Sequence, residues 1–203
     1  IAGDGGTYDI GIQSLSGAIE RQSDFIYVCY DNEGYMNTGN QRSGSTPLGA
    51  ISGTTPILGK QQKPKDITAI MEAHGIPYVA TANACYPLDL YEKVRKAKSM
   101  QGMRFIHVFT PCPPGWRFPF SDTIKIGQLA VETGWVVLYE IEGGTFRLTS
   151  GSESIARRGS LKPLKEYLSQ QGRFKNITEK QIDELQASVN VRWKRYTDRA
   201  SNK

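Results

Sequence analysis

Short apolar runs alternate along this chain with stretches of helical spacing, the pattern of β-α-β units closing on a parallel sheet. Residues 10–21 set Ile12, Leu15, Ala18 and Ile19 on one helical stripe, which Asp24 ends. "FIYVCY" at 25–30 follows as a continuous apolar and β-branched run, the composition expected of a strand buried on both faces. Residues 31–65 break the rhythm: they are rich in Gly, Ser, Thr, Asn and Pro and carry little periodicity. A connection this long usually has a function.

Helical spacing returns at 66–74, and "IPYVAT" reads as the next strand. Residues 87–99 form a charged amphipathic helix in which Leu88, Tyr91, Val94 and Arg95 mark the face expected to carry the apolar side. "RFIHVFTPCPPGW" begins as a buried strand and ends where three prolines and a glycine forbid regular structure, so Cys112 falls just past a strand end. A helix over 122–133, closed by Gly134, precedes a hairpin turning at Gly143-Gly144. The polar tail carries a last helix over 178–195 with a capping box at Thr178 and Gln181. These elements make an α/β fold, a mainly parallel sheet flanked by helices, with residues 1–150 as the ligand-binding domain. Residues 151–203 make a polar C-terminal extension that packs on that domain or on a partner subunit.

Composition narrows the class. The chain has 203 residues, enough for one full core. The formal charge of +5 is dispersed, densest at 154–165 and 192–199, without the interleaved aromatics of a nucleic-acid surface. No run approaches a membrane span. Three widely spaced cysteines, Cys29, Cys85 and Cys112, argue against a disulfide framework and for a reducing, cytoplasmic setting. The sequence opens without methionine inside what reads as a strand end, so a processed or partial piece is expected.

Gly3-Asp4-Gly5-Gly6 stands where a strand passes into a helix, the place at which open α/β sheets bind ligands. Glycines there admit a phosphate, but a carboxylate repels it unless Asp4 holds a divalent cation that bridges to the phosphate oxygens. Asn32 and the Gly34 carbonyl, in "YDNEGYMNTG", lie at the end of the next strand and supply further hard oxygen ligands. Cys29, within an apolar run, reads as a small buried side chain, and His107 as a satisfied core residue.

The spacing of GDG and asparagine resembles the thiamin diphosphate fingerprint, and the likeness extends further. "GDGGTYDIGIQSLSGAIER", "YDNEGYMNTGNQRS", "STPLGA", "HGIPYVAT", "TPCPPGWRF", "LAVETG" and "YLSQQGRF" resemble the β subunit of the pyruvate and 2-oxoacid:ferredoxin oxidoreductases. The resemblance implies that Asp4, Asn32 and the Gly34 carbonyl bind Mg2+ and that Gly3, Gly5 and Gly6 line the diphosphate. Asn32, Glu33, Gly34, Tyr35, Asn37 and Thr38 would wrap the cofactor, with Asn37 placed to act on the substrate. Cys112 would ligate a [4Fe-4S] cluster whose other cysteines lie upstream in the family; Cys85 does not replace them. The implied reaction is oxidative decarboxylation of a pyruvate-like 2-oxoacid, with acyl transfer to coenzyme A and electrons to ferredoxin, in a complex with other subunits. Departures such as "AISGTTPILGK" leave open an oxalate-oxidising branch that needs no coenzyme A. A cluster-free thiamin enzyme and a scaffold subunit are the competing readings.

Overall fold

The computed structural model describes residues 1–201; the last two positions of the C-terminal extension lie outside the described residues. Six strands form one mixed sheet in the order β1-β2-β4-β3-β5-β6. The first four, β1 (Ala2–Gly3), β2 (Phe25–Asp31), β4 (Met103–Phe109) and β3 (Tyr78–Asn83), run parallel. β5 (Tyr139–Glu142) joins antiparallel and turns through Gly143 and Gly144, both at positive φ, into β6 (Thr145–Leu148).

Helix α3 (Pro87–Lys98) covers one face, where Ala97 meets Tyr78, Ala80, Ala82, Ile106 and Val108. The opposite face is packed by α1 (Ile12–Glu20), α2 (Ile67–Ala73) and α8 (Glu179–Ser201), whose Leu15, Ile67, Met71 and Tyr196 bury Cys29, Val79 and Phe105. A third cluster forms around Phe109 and Trp116 from α5 (Thr123–Glu132), α6 (Ser150–Arg158) and α7 (Leu164–Leu168), joined by Leu185 and Val189 of α8. The start of α8 is capped reciprocally: the Gln181 amide N–H donates to Thr178 Oγ1 (3.2 Å) and the Thr178 amide to Gln181 Oε1 (3.0 Å).

Four expectations need correction, the first being that the prolines after Cys112 forbid regular structure: Pro113 and Pro114 instead open a short helix, α4 (Pro113–Trp116), in whose first turn proline is tolerated. β2 is not buried on both faces, because β1 pairs only with Cys29 and Tyr30; Phe25 to Val28 stay half-buried and Tyr30 is exposed. The inward face of α3 is not the one drawn from Leu88 and Tyr91, which are 79% and 61% exposed. It is built instead on Leu90, Lys93, Val94 and Ala97, and Lys93 can be buried because Asp89, Thr149 Oγ1 and the Thr81 carbonyl accept its three protons. Residues 5–10 do not begin an α-helix but form a π-helical turn, Gly5–Ile10, directly after Asp4. Its closing bond runs from the Gly11 amide to the Gly6 carbonyl (2.9 Å), and a Cβ on Gly11 would lie 2.3 Å from that oxygen. Glycine is therefore required there.

Candidate functional site

The parallel register of β1 on β2 sets Gly3 beside Tyr30, so the residues that leave the two strands, Asp4 and Asp31-Asn32, emerge side by side. Asp4 is 1% exposed. Burial first, and the neighbouring Asp31 second, push its carboxyl up to about 8. A carboxylate so placed calls for a proton or a cation.

The structure brings Asp4, Asn32 and Gly34 together. The end of the Asn32 side chain lies 3.1 Å from Asp4 Oδ1 and 2.8 Å from the Gly34 carbonyl oxygen. With its NH2 toward them the Asn32 amide donates to both; turned over, it sets its own oxygen beside theirs. Without a cation the amide can satisfy both oxygens as a donor; with a cation among them it would turn to offer a third oxygen. With Mg–O bonds of about 2.0–2.1 Å in an octahedron, neighbouring ligand oxygens sit roughly 3 Å apart, the spacing found here. The donor set is all oxygen, which suits a hard cation, so these residues fit the implied Mg2+.

The glycines differ in what they do. Gly5 lies under the Tyr35 ring, where a Cβ would come within 2.3 Å of it, and Tyr35 Oη donates to the Gly5 carbonyl (3.0 Å). At Gly6 a Cβ would meet only Ala2 Cβ at 3.8 Å, so the protein itself leaves that position open. At Gly3 the nearest atoms, at 3.5 Å, belong to the Tyr30 ring.

The loop after Asn32 splits in its orientation. The Glu33 side chain turns into the core, where Trp135 Nε1 donates to Oε1 (3.1 Å) and an Arg173 nitrogen lies 2.6 Å from Oε2. Only its backbone is left to the loop: the amide donates to Asp31 Oδ1 (2.8 Å). Asn37 and Thr38 sit exposed on a turn, with Thr38 Oγ1 donating to Gln41 Oε1 (2.5 Å). Tyr35 and Thr38 line a cleft of about 660 Å³ with Arg42 and Gln62.

Cys112 is half-buried at the mouth of α4 (Pro113–Trp116), and that loop is docked on the Asn32 segment. Trp116 Nε1 donates to the Asn32 carbonyl (2.8 Å) and Asn40 Nδ2 to the Gly115 carbonyl (3.2 Å). Among the described residues no three His, Cys, Asp or Glu side chains are grouped as a metal site. One thiolate does not make an iron–sulfur centre, so the described residues do not fit a [4Fe-4S] cluster by themselves. Cys85 packs against Gly127 of α5, its Sγ 3.5 Å from the Thr123 carbonyl.

Sequence reasoning missed the residues that support the three oxygens. Asp31 accepts from Tyr8 Oη (2.9 Å) and from Ser45 Oγ, which is 2.6 Å from both its oxygens, and its Oδ2 lies 2.8 Å from His107 Nε2. Burial acts to raise the Asp31 carboxyl, but His107, Ser45 and the Glu33 amide outweigh it and hold the group below its ordinary value. Ser43 Oγ donates to Asp4 Oδ2 (2.5 Å). A signal for part of this network existed: Cys29 and Asp31 share one strand face, as do His107 and Phe109, and Cys29 pairs with His107. The same network lines a cavity of about 750 Å³ between the sheet and α8.

Residues 1–108 match the family model described as thiamine pyrophosphate enzyme, C-terminal TPP binding domain. The chain is 53% identical over 192 residues to pyruvate synthase subunit PorB of Methanothermobacter marburgensis, covering 93% of this chain and 65% of that one. It is 46% identical over 199 residues to ketoisovalerate oxidoreductase subunit VorB of Pyrococcus horikoshii, covering 96% and 62%. It thus spans just under two thirds of these relatives' length. A solved 2-oxoglutarate:ferredoxin oxidoreductase from Magnetococcus marinus superposes with a TM-score of 0.52 at 30% identity, over 55% of this chain and 38% of that one. Among the described residues no helix is long and apolar enough to cross a membrane.

Proposed function

The chain belongs to the thiamine pyrophosphate enzymes, whose C-terminal TPP-binding domain it carries, and on that premise we propose that it is the cofactor-binding chain of a 2-oxoacid:ferredoxin oxidoreductase acting on a pyruvate-like 2-oxoacid. The observation that carries the reading is the meeting of Asp4, the Asn32 side-chain amide and the Gly34 carbonyl at adjoining strand ends. The likeness to subunits named for pyruvate and ketoisovalerate supports the substrate class, with pyruvate first on the higher identity.

In this reading Asp4, the Asn32 amide oxygen and the Gly34 carbonyl hold Mg2+, and the open backbone at Gly6 leaves room for the diphosphate beside it. Bound there, thiamin diphosphate supplies the electron sink that lets a 2-oxoacid lose CO2. Ser43 holds Asp4 in place for the cation, and Asp31 holds the turn that carries Asn32 and Gly34. Asn37, exposed on the following turn, offers an amide to the substrate carboxylate or carbonyl. Cys112 would contribute one thiolate to a cluster completed from outside the described residues. Coenzyme A as acyl acceptor, ferredoxin as electron acceptor and the remaining subunits belong to the same proposal.

The test uses the assembled complex, anaerobically, with a viologen dye as acceptor. Pyruvate should reduce the dye in a coenzyme-A-dependent reaction with a higher kcat/KM than ketoisovalerate. Reduction by oxalate without coenzyme A would move the protein to the oxalate branch. No reduction with any of the three, in a complex retaining thiamin diphosphate, would sink the assignment.

A further inference from the structure

Lys60 is 2% exposed, and its ammonium is bonded to backbone carbonyls alone: those of Thr46 (2.7 Å), Ser43 (3.1 Å) and Gly44 (3.3 Å). Three protons meet three acceptors, so the group is satisfied without a carboxylate. Its backbone is fixed as well. The Lys60 amide donates to the Ala50 carbonyl (3.0 Å), and the Gly49 amide donates to the Lys60 carbonyl (2.8 Å). Gly59, at φ +68, allows this approach: a Cβ there would lie 2.3 Å from the Gly49 carbonyl oxygen.

The carbonyls gathered by Lys60 belong to one tight turn, in which the Ser43 amide donates to Thr46 Oγ1 (2.8 Å). Each hydroxyl of that turn reaches a different piece of the metal site. Ser43 Oγ donates to Asp4 (2.5 Å), Ser45 Oγ to Asp31 (2.6 Å), and Thr46 Oγ1 to the Glu33 carbonyl (2.7 Å). Asp31 immediately precedes Asn32, and Glu33 lies between Asn32 and Gly34. One buried ammonium therefore organises the supports of all three oxygens. Partners that orient metal ligands commonly govern affinity by about 10–100-fold.

We propose that Lys60 is a positioning residue for the divalent cation: by gathering the carbonyls of Ser43, Gly44 and Thr46 it presents the hydroxyls of Ser43, Ser45 and Thr46 to Asp4, Asp31 and the Glu33 carbonyl, and so sets cation affinity and coordination geometry. The inference rests on the reading of Asp4, Asn32 and Gly34 as cation ligands.

The test uses the assembled complex with thiamin diphosphate present and Mn2+ as the probe. Free Mn2+ is followed by electron paramagnetic resonance, and the spectrum of the bound ion reports its geometry. Lys60→Met should raise the Mn2+ Kd about 10–100-fold and broaden the bound spectrum. Ser43→Ala removes one bond to Asp4, leaves Lys60 in place, and should shift Kd and spectrum in the same direction; it reads the clamp if Lys60→Met does not assemble. Circular dichroism checks that each variant keeps its fold. A folded Lys60→Met or Ser43→Ala complex that binds Mn2+ with wild-type Kd and spectrum overturns the inference and leaves the cation reading intact. If the wild type takes up no Mn2+, or Asp4→Ala binds it equally well, the cation reading falls and the inference with it.

Discussion

Arg173→Met tests how the C-terminal residues hold the loop that follows β2. Arg173 is 2% exposed and Glu33 8%, with 2.6 Å between a guanidinium nitrogen and Glu33 Oε2. The guanidinium lies 3.9 Å over the Trp116 ring, and its Nε donates to Gln171 Oε1 (2.8 Å). Methionine fills much of the same space over Trp116 but leaves the buried Glu33 carboxylate with the Trp135 N–H as its side-chain donor. Removing one partner of a buried ion pair costs about 3–5 kcal/mol. At about 2–4 °C per kcal/mol for a chain of this size, the melting temperature should fall by roughly 6–20 °C. Thermal unfolding followed by circular dichroism measures it. The double variant Glu33→Gln/Arg173→Met removes both charges and should recover at least half of the loss, because an unpaired buried charge is the main cost. A single-variant loss below about 1 kcal/mol, or a double variant no better than the single, would refute the reasoning.

Gly5→Ala places a Cβ 2.3 Å from the Tyr35 ring, so the ring must leave and thiamin diphosphate affinity should drop. Adding Tyr35→Ala should restore folding stability by calorimetry if that ring is the only obstacle. Burial lowers Lys60 from 10.5 to about 8, with Arg42 next in effect and Asp9, Glu33 and Lys65 also facing it. Between pH 8 and 10.5 the unfolded chain then holds a proton the folded one has released, so stability rises with pH in that window. Urea midpoints at rising pH should show this gain in the wild type and not in Lys60→Met; parallel curves would count against it. Cys112→Ser should lower the iron content of the assembled complex while thiamin diphosphate binding by calorimetry stays at the wild-type level, and unchanged iron would remove Cys112 as a ligand.

Where a strand is buried by its neighbours, the sequence could be read directly. β3 and β4 are nearly continuous apolar runs and lie in the middle of the sheet. β2 looks the same on paper but is half-buried, because exposure depends on how much strand stands beside it, which composition does not encode. The inward face of α3 differs from its sequence pattern for a related reason: Asp89 is a local i,i+4 partner for Lys93, but the Thr149 hydroxyl and the Thr81 carbonyl that complete its burial come from other elements. At the site, Asp4 and Asn32 stood out because glycines beside a carboxylate at two strand ends pose an electrostatic question that a cation answers. Ser43, Ser45 and Lys60 did not. They lie in a loop without periodicity, and their roles exist only once its closure brings Ser43 to Asp4, 39 positions away. The π-helical turn has no sequence signal for another reason: it differs from an α-helix in the spacing of its backbone bonds, as between Gly11 and Gly6, and not in its side-chain pattern.

The most direct test of the central claim is the anomalous difference map of crystals of the assembled complex grown with thiamin diphosphate and Mn2+. A single manganese peak bonded to Asp4, the Asn32 amide oxygen and the Gly34 carbonyl at about 2.2 Å, with the diphosphate beside Gly6, is the expected result. A cation bound elsewhere, or an Asn32 whose NH2 donates to Asp4 in the loaded complex, would contradict it.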